Sequence, residues 1–268
     1  MAFDTHRGRE FVRSIDLSGT PRGITTTRST RGDILEPDSV QAAGKVFDKA
    51  KTQAQIVGAG VFSFAQGVTS EVRQGISDSA LLAQLLANKK VSAEENPLGW
   101  FTTYFDVLQK VGWIVQESTW TDYTAQGAAV EVHDKILEVM TAALGPSAAA
   151  IAVITATMHA LSGMNPSSPW ISLFNRESQK ARLARFQIGL VEKEENSDVS
   201  ISLLACLIEA HTDITQVLFF KFKNAGATFR ANSGKVFINP TYLNDLGPSI
   251  REKIHAYQTN YLSSILDL

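Results

Sequence analysis

The feature of the sequence that most constrains the fold is a change of hydrophobic pattern at residues 165–169. Before this loop most apolar residues recur at helical spacing, and after it they fall in short runs rich in β-branched residues. The sequence therefore predicts an α+β (mixed α/β) fold with a helical N-terminal half and a mainly antiparallel C-terminal sheet. We expect a single domain over 38–268, with a helical layer at 38–165 and a β-meander plus a closing helix at 183–268.

The helical half is predicted to contain five helices and one strand. The helices are expected at 38–70, from Ser77 onward, and at 97–111, 130–144 and 147–161, with the strand at 113–123. Within the first helix, Ile56-Val-Gly-Ala-Gly-Val61 resembles a dinucleotide-binding turn. It has Ser63 in place of the third glycine and follows a predicted helix instead of a strand. We therefore interpret its glycines as sites of close helix packing and expect no nucleotide cofactor.

The C-terminal half is predicted as a meander of short strands. They are expected at 183–192, 199–209, 216–223, 227–231 and 236–239, with turns at 195–198 and 232–234. Pro248 suits the first position of a closing helix that runs to about Ile265.

Residues 1–37 are predicted to be a flexible N-terminal arm, because 18–37 is rich in Ser, Thr, Gly and Arg and has little apolar surface to bury. Charged residues from Arg7 to Arg13 interrupt the place where the apolar core of a secretory signal would lie. We expect synthesis in the cytoplasm without a cleavable signal peptide. Export by another route, or association with a membrane, stays open.

Charge and cysteine content exclude several classes of function. The 25 basic and 27 acidic residues give a net charge of −2, so no overall field favours nucleic acid, and we expect no nucleic-acid partner. The chain has one cysteine, which excludes an intrachain disulfide and Cys-rich metal sites. Its five histidines form no H-x-x-x-H pair, so no metal is expected.

Residues 139–175 contain no Asp, Glu, Lys or Arg. The helix predicted at 147–161 is shorter than the roughly 20 residues that span a bilayer. Two interpretations remain open for this stretch and for 52–70: helices buried in the core, or a hairpin that inserts into a membrane.

Cys206 is the main candidate for chemistry. It lies in a predicted strand with apolar residues on both faces, where a lone cysteine is most often an inert core residue. A nucleophilic cysteine needs a base and a group that orients it, and His211 and Asp213 supply these residue types. Along a straight strand His211 would lie some 16 Å away, so His159 in the uncharged helix is a competing base.

The segment Ser202-Leu-Leu-Ala-Cys-Leu-Ile-Glu-Ala-His211, ahead of a β-rich region that ends at Gly234-Lys-Val-Phe-Ile-Asn239, resembles the Evf virulence-factor group of soft-rot and insect-associated bacteria. The resemblance covers about residues 95–262 in general layout. It implies a mixed α/β fold and a fatty acyl thioester, palmitate-like, on Cys206.

These observations give three functional hypotheses. The first is an S-acylated, lipid-associated protein of virulence type, whose acyl chain on Cys206 lies in an apolar slot. The second is a cysteine acyltransferase or thioesterase with acyl-Cys206 as an intermediate and His211 or His159 as base. The third is a helical toxin that inserts into membranes. The expected partners are a fatty acid or acyl donor and a membrane surface contacted peripherally, and the oligomeric state is open.

Overall fold

The computed structural model describes residues 3–18, 20, 47–116, 119–124, 130–165, 167–195, 198–218, 221–222, 227–255 and 262–267. In these ranges the helices are α1 (Thr5–Ser14), α2 (Ser70–Lys90), α3 (Pro97–Lys110), α4 (Val132–Leu144), α5 (Ala148–Ser162), α6 (Pro169–Ser178) and α7 (Pro240–Ile254). The strands are β1 (Gln53–Val57), β2 (Gly60–Phe64), β3 (Trp113–Val115), β4 (Thr121–Thr124), β5 (Val130–Glu131), β6 (Gln179–Lys180), β7 (Leu183–Lys193), β8 (Val199–Ala210), β9 (Lys221–Phe222), β10 (Ala227–Ile238) and β11 (Leu262–Asp267). The predicted α+β class is confirmed.

Nine strands of the described chain form one sheet. Its main path has the order β11-β1-β2-β7-β8-β10-β3, and β4 also pairs with β10 and β6 with β7. All of these pairings are antiparallel except that of β2 with β7, which is parallel. The long strands β7, β8 and β10 form the centre of the sheet, so a residue in the middle of β8 has a neighbour on both sides.

Helices cover both faces of the sheet. Successive side chains of a strand point to opposite faces, so β8 contributes to two cores. On the first face, α1, α2, α3 and α7 close a core that includes Ile201 and Leu203 of β8. On the second face, α4, α5 and α6 cover a separate core that includes Leu204 and Ile208. The molecule is therefore a three-layer arrangement of helices, sheet and helices.

The helices predicted at 97–111, 130–144 and 147–161 are present as α3, α4 and α5. Side-chain caps mark the starts of α3 and α5. The side chain of Asn96 accepts a hydrogen bond from Gly99 N at 2.8 Å at the start of α3. Ser147 likewise caps α5 by accepting from Ala150 N.

The prediction of a helix at 38–70 is wrong in its described part, 47–70, because residues 53–64 form the hairpin β1–β2. Residues 38–46 lie outside the described residues. Val57 pairs with Gly60, which leaves a two-residue turn. Gly58 has a φ of +54°, a conformation that glycine adopts at no steric cost. The glycines interpreted as helix-packing sites therefore serve a hairpin turn.

Contacts made across the layers stabilise β1 as a strand. Its two glutamines face α2, where Arg73 Nη1 donates to Gln53 Oε1 at 2.6 Å and Ser77 Oγ donates to Gln55 Oε1 at 2.6 Å. A buried amide needs such partners. Because both partners lie about 20 residues further along the chain, local periodicity could not reveal them.

Other boundaries also differ from prediction. α2 begins at Ser70 and not near Ser77, and the described helix α6 was not predicted. β10 runs unbroken through the turn predicted at 232–234. The closing helix α7 begins at Pro240, capped by the side chain of Asn239, so Pro248 lies inside it. It ends at Ile254, and Ile265, which was predicted in the same helix, lies in β11. Among the described residues of the strand predicted at 216–223, only those of β9 form a strand.

Residues 5–14 of the predicted flexible arm form the helix α1. Asp4 caps it, and Val12 is fully buried against the first-face core. Lys253 of α7 donates to the carbonyls of Arg13 and Ile15 at 2.8 and 2.9 Å. The start of the chain is thus packed on the domain. Residues 21–37 of the predicted arm lie outside the described residues.

We expect Val12→Ala to lower the free energy of unfolding by about 2 kcal/mol, because it removes two buried methyl groups and leaves a void. Urea denaturation measures this value. Arg9→Ala is the control, since Arg9 is an exposed residue of the same helix. Equal stability of the Val12 variant and the wild type would show that α1 does not contribute to the core.

Candidate functional site

Cys206 lies in the centre of the sheet, on β8. It stands opposite Phe186 of β7 and Ala231 of β10. Its side chain faces the second face and has no solvent-exposed area. The prediction that this thiol is shielded from solvent is confirmed.

The surroundings of Cys206 are apolar. The same buried cluster contains Val132 and Ile136 of α4, Ile154 and Met158 of α5, and Phe174 of α6. Burial raises the pKa of the Cys206 thiol well above its usual range, because a thiolate would be desolvated here. The closed protein therefore holds Cys206 as a neutral thiol, which is the unreactive form.

His211 and Asp213 are exposed and follow the end of β8. Strand β8 stays in continuous register with β10 from Val199 to Ala210, so no bend in this strand brings His211 back toward Cys206. At about 3.3 Å per residue, His211 lies some 16 Å along the chain from Cys206. Asp213 Oδ1 instead lies 3.7 Å from Arg182 Nε. The structure does not bring this predicted pair to the thiol.

His159 lies on the solvent side of α5. Its neighbours Met158 and Leu161 point into the second-face core, whereas His159 is exposed. A role for any of the three predicted partners in chemistry at Cys206 stays a prediction that requires movement of these elements.

The helices α4, α5 and α6 form a cover over the second face of the sheet, to which Cys206 points, and among the described residues few buried polar contacts join this cover to the sheet. One is the 2.7 Å hydrogen bond between Ser63 of β2 and Thr157 of α5. Thr157 Oγ1 donates to Val153 O at 2.9 Å, so the hydroxyl of Ser63 is the donor to Thr157. Apolar packing therefore supplies most of what holds α5 to the sheet.

The outer surface of the cover is uncharged over the end of α4 and over α5, whereas exposed Asp134 and Glu138 lie nearer the start of α4 and Arg176 lies on α6. Exposed residues at the α4–α5 turn and on α5 include Thr141, Pro146, Ala149 and Ala152, all within the stretch 139–175 that lacks acidic and basic residues. α5 thus has one buried and one exposed face, which corrects the expectation of a helix buried all round. Among the described helices none is both long and apolar enough to cross a membrane.

A cavity of about 390 Å³ lies at the opposite end of β8, next to Val199. It is lined by residues at the starts of α2 and α7, among them Thr69 and Asn239, and by Lys193. Val199 is seven residues from Cys206, or about 23 Å along a strand, so this cavity is not a slot for a group on the thiol.

Sequence reasoning missed a buried polar cluster on the first face. Arg185 of β7 lies with its guanidinium carbon 3.8 Å from the centre of the Trp100 ring, and its Nη2 donates to Asn88 Oδ1 at 2.7 Å. Burial lowers the pKa of Arg185 to about 9, partly offset by Glu177. The alternation of Arg185 and Gln187 with apolar residues in β7 indicates a polar face. α2 and α3 cover that face.

The described residues include no group of three or more His, Cys, Asp or Glu side chains that could hold a metal ion.

No family model matches the sequence, and no curated protein matches it. Several solved structures are similar to this chain in part, and two of them are as follows. One, titled delta-endotoxin, is 14% identical, covers 67% of this chain and 80% of its own, and superposes with a TM-score of 0.41. The other, titled as the structure of the Evf virulence factor, is 10% identical, covers 85% of this chain and 89% of its own, and has a TM-score of 0.29.

Proposed function

We propose that this chain is a lipid-associated protein of virulence type that carries a fatty acyl group as a thioester on Cys206. The acyl chain would lie between the second face of the sheet and the cover formed by α4, α5 and α6. The observation that carries the proposal is the position of Cys206, fully buried in an apolar cluster at the interface of two layers.

The environment of Cys206 favours an acyl chain energetically. Each methylene removed from water contributes about 0.8 kcal/mol, so a C16 chain enclosed by the layers contributes on the order of 10 kcal/mol. A chain of this size needs room that the packed side chains occupy in the closed form. Acylation therefore requires the cover to move away from the sheet, or to pack after the thioester has formed.

The part of the cover that lies within residues 139–175, which contain no Asp, Glu, Lys or Arg, supports a peripheral contact with a membrane. An acyl chain enclosed by the layers does not reach a bilayer, so anchoring requires the cover to open and the chain to insert. A single inserted chain anchors a protein only marginally, so stable association needs a second contact. The exposed α4–α5 turn and the outer side of α5 offer a surface with no Asp, Glu, Lys or Arg side chain that must be desolvated, and His159 is its ionisable residue. We propose this surface as the second contact.

An anchor suits the structure better than an enzymatic intermediate. A catalytic thioester needs a base within hydrogen-bond reach of the sulfur. His211 and His159 are both exposed, whereas Cys206 is fully buried. We therefore propose that the thioester persists after it forms.

Intact-mass measurement of the purified protein, before and after neutral hydroxylamine, tests this proposal. We expect an added mass equal to a fatty acyl group that hydroxylamine removes, and none in Cys206→Ser. Since an anchor needs no base, His211→Ala should keep most of the acyl group. The melting transition of each variant confirms that it folds.

Two outcomes would contradict the proposal. A wild-type protein without an acyl group, expressed in a bacterium that supplies acyl donors, would remove the basis for an anchor. A large change in acyl occupancy in His211→Ala would instead favour the enzymatic intermediate, because that variant would fail either to form or to discharge the thioester.

A further inference from the structure

Residues 214–218, here called the strap, begin four residues past the end of β8 and form neither helix nor strand. Three side chains of the strap, Ile214, Val217 and Leu218, are at most 3% exposed. They belong to the same buried cluster as Cys206. The strap therefore closes a part of the second-face core that the helices α4, α5 and α6 do not close.

Other elements of the fold hold the backbone of the strap. Ile214 N donates to the carbonyl oxygen of Ala181 at 2.7 Å, in the turn between β6 and β7. Val217 N donates to Asn175 Oδ1 of α6 at 2.9 Å, and this hydrogen bond is buried. A helix pairs most of its backbone polar groups internally, whereas an irregular segment depends on partners of this kind.

Asn175 connects the strap to the neighbours of the thiol. The residue before it, Phe174, is fully buried, and its ring centre lies 5.9 Å from that of Phe186. Phe186 stands opposite Cys206 in the pairing of β7 with β8. The end of α6 thus holds the strap with one side chain and packs on the strand neighbour of Cys206 with the next.

The hydrogen bond of Asn175 favours the closed strap. Without this acceptor, the buried N–H of Val217 would be unpaired in the closed form, which costs the free energy of its desolvation. In an open strap the same N–H bonds to water. Segments held by a few such bonds are those that open locally while the rest of a domain stays folded.

We propose that the strap is a gate to the second-face core and that Asn175 is the positioning residue that holds it closed. When the bond from Val217 N to Asn175 breaks, the three apolar side chains of the strap leave the core and the end of α6 loosens over Phe186. Small molecules then reach Cys206 while the strands of the sheet stay paired. This inference concerns access to the thiol and does not depend on whether the thiol is acylated.

Asn175→Ala tests the gate by two measurements on protein that neutral hydroxylamine has freed of any acyl group. The amide of Ile214 keeps its own partner in this variant, so faster hydrogen exchange there reports opening of the strap as a unit. We expect this amide to exchange at least about tenfold faster than in the wild type, because the variant leaves a buried N–H unpaired. Labelling of Cys206 by a thiol reagent should also be at least about tenfold faster.

Ser63→Ala is the matched control, since it removes another buried hydrogen bond of the second face, the one to Thr157 of α5. It leaves the partners of the strap in place, so both rates should stay within about twofold of the wild type. Equal acceleration in Ser63→Ala and Asn175→Ala would overturn the proposal, because the strap would then open only together with the whole cover.

Gln179→Ala keeps the test decisive if Asn175→Ala fails to fold. Gln179 Nε2, just past the end of α6, donates to Thr215 O at 3.1 Å, and Gln179 is half-buried. We expect this milder change to speed both the exchange of the Ile214 amide and the labelling of Cys206 about threefold. Unchanged labelling in a folded variant whose Ile214 amide exchanges faster would overturn the gate, and so would an unchanged Ile214 amide.

Discussion

Replacing Trp100 with alanine should lower the free energy of unfolding by about 4 kcal/mol, a loss typical of deleting a large aromatic side chain from a protein core. Trp100 is fully buried and lies between two partners. The guanidinium carbon of Arg185 is 3.8 Å from its ring centre, and the Tyr104 ring is stacked on it at 5.4 Å. Its Nε1 also donates to Asn88 Oδ1 at 2.7 Å.

The loss in this variant has more than one source. Removing the indole leaves a void in the first-face core. It also removes the cation–π contact of the buried Arg185 guanidinium, and water cannot reach this site to replace that contact. Trp100→Phe keeps a ring beside Arg185 and loses the N–H donor, so we expect an intermediate loss.

Urea denaturation of the variants measures these differences. Trp170→Ala is the control, because Trp170 is a half-buried tryptophan on α6. We expect that control to lose less than half as much as Trp100→Ala. A loss below about 1.5 kcal/mol in Trp100→Ala would mean that the buried cluster relaxes around the void and does not depend on the stack.

The parts of the fold that the sequence predicts are those with local signals. Asn96, Ser147 and the Gly145-Pro146 stop act within one turn of the helices they bound, so α3, α4 and α5 are found close to their predicted positions. The β1–β2 hairpin has a local signal in its turn glycine, Gly58, but glycines in an uncharged stretch also fit close helix packing. Contacts with Arg73 and Ser77 of α2 decide the matter, and these form only in the tertiary structure.

The candidate site is predictable to a similar extent. Apolar residues on both sides of Cys206 predict its burial, and the strand spacing predicts that His211 lies out of reach. The identity of the cover is not predictable from periodicity. The uncharged character of α5 fits a helix buried all round as well as one that covers a sheet with one face and leaves the other exposed.

Arg185 shows a further limit of sequence reasoning. An arginine that alternates with apolar residues in a strand is most often solvent-exposed. Here two helices cover it, and its charge is accommodated by Trp100, Asn88 and the field of Glu177. Such compensation comes from three separate elements, so no local pattern indicates it.

The thiol of unacylated Cys206 should react with a bulky thiol reagent at least about 10³-fold more slowly in the folded protein than in the urea-unfolded chain. The thiol has no exposed area, and its raised pKa keeps it neutral, so reaction requires an opening of the core. Core segments open with free energies that approach that of global unfolding, which is at least about 5 kcal/mol for a typical domain.

Two matched truncations distinguish how that opening occurs. Ile136 of α4 and Ile76 of α2 are both fully buried isoleucines on helices, but they pack on opposite faces of the sheet. Each change to alanine should destabilise the protein by about 2–5 kcal/mol. If the cover opens locally, Ile136→Ala should speed labelling of Cys206 at least about tenfold, and Ile76→Ala should change it by less than about threefold.

Labelling under native conditions, followed by intact mass, measures these rates. Equal acceleration in the two variants would mean that Cys206 becomes accessible only by global unfolding and that the cover is not a separate opening unit. Rapid labelling of the wild type would contradict the buried position of the thiol itself. Acceleration confined to Ile136→Ala would show that α4 separates from the sheet while the first face stays packed, which is the movement that acylation of the folded protein requires.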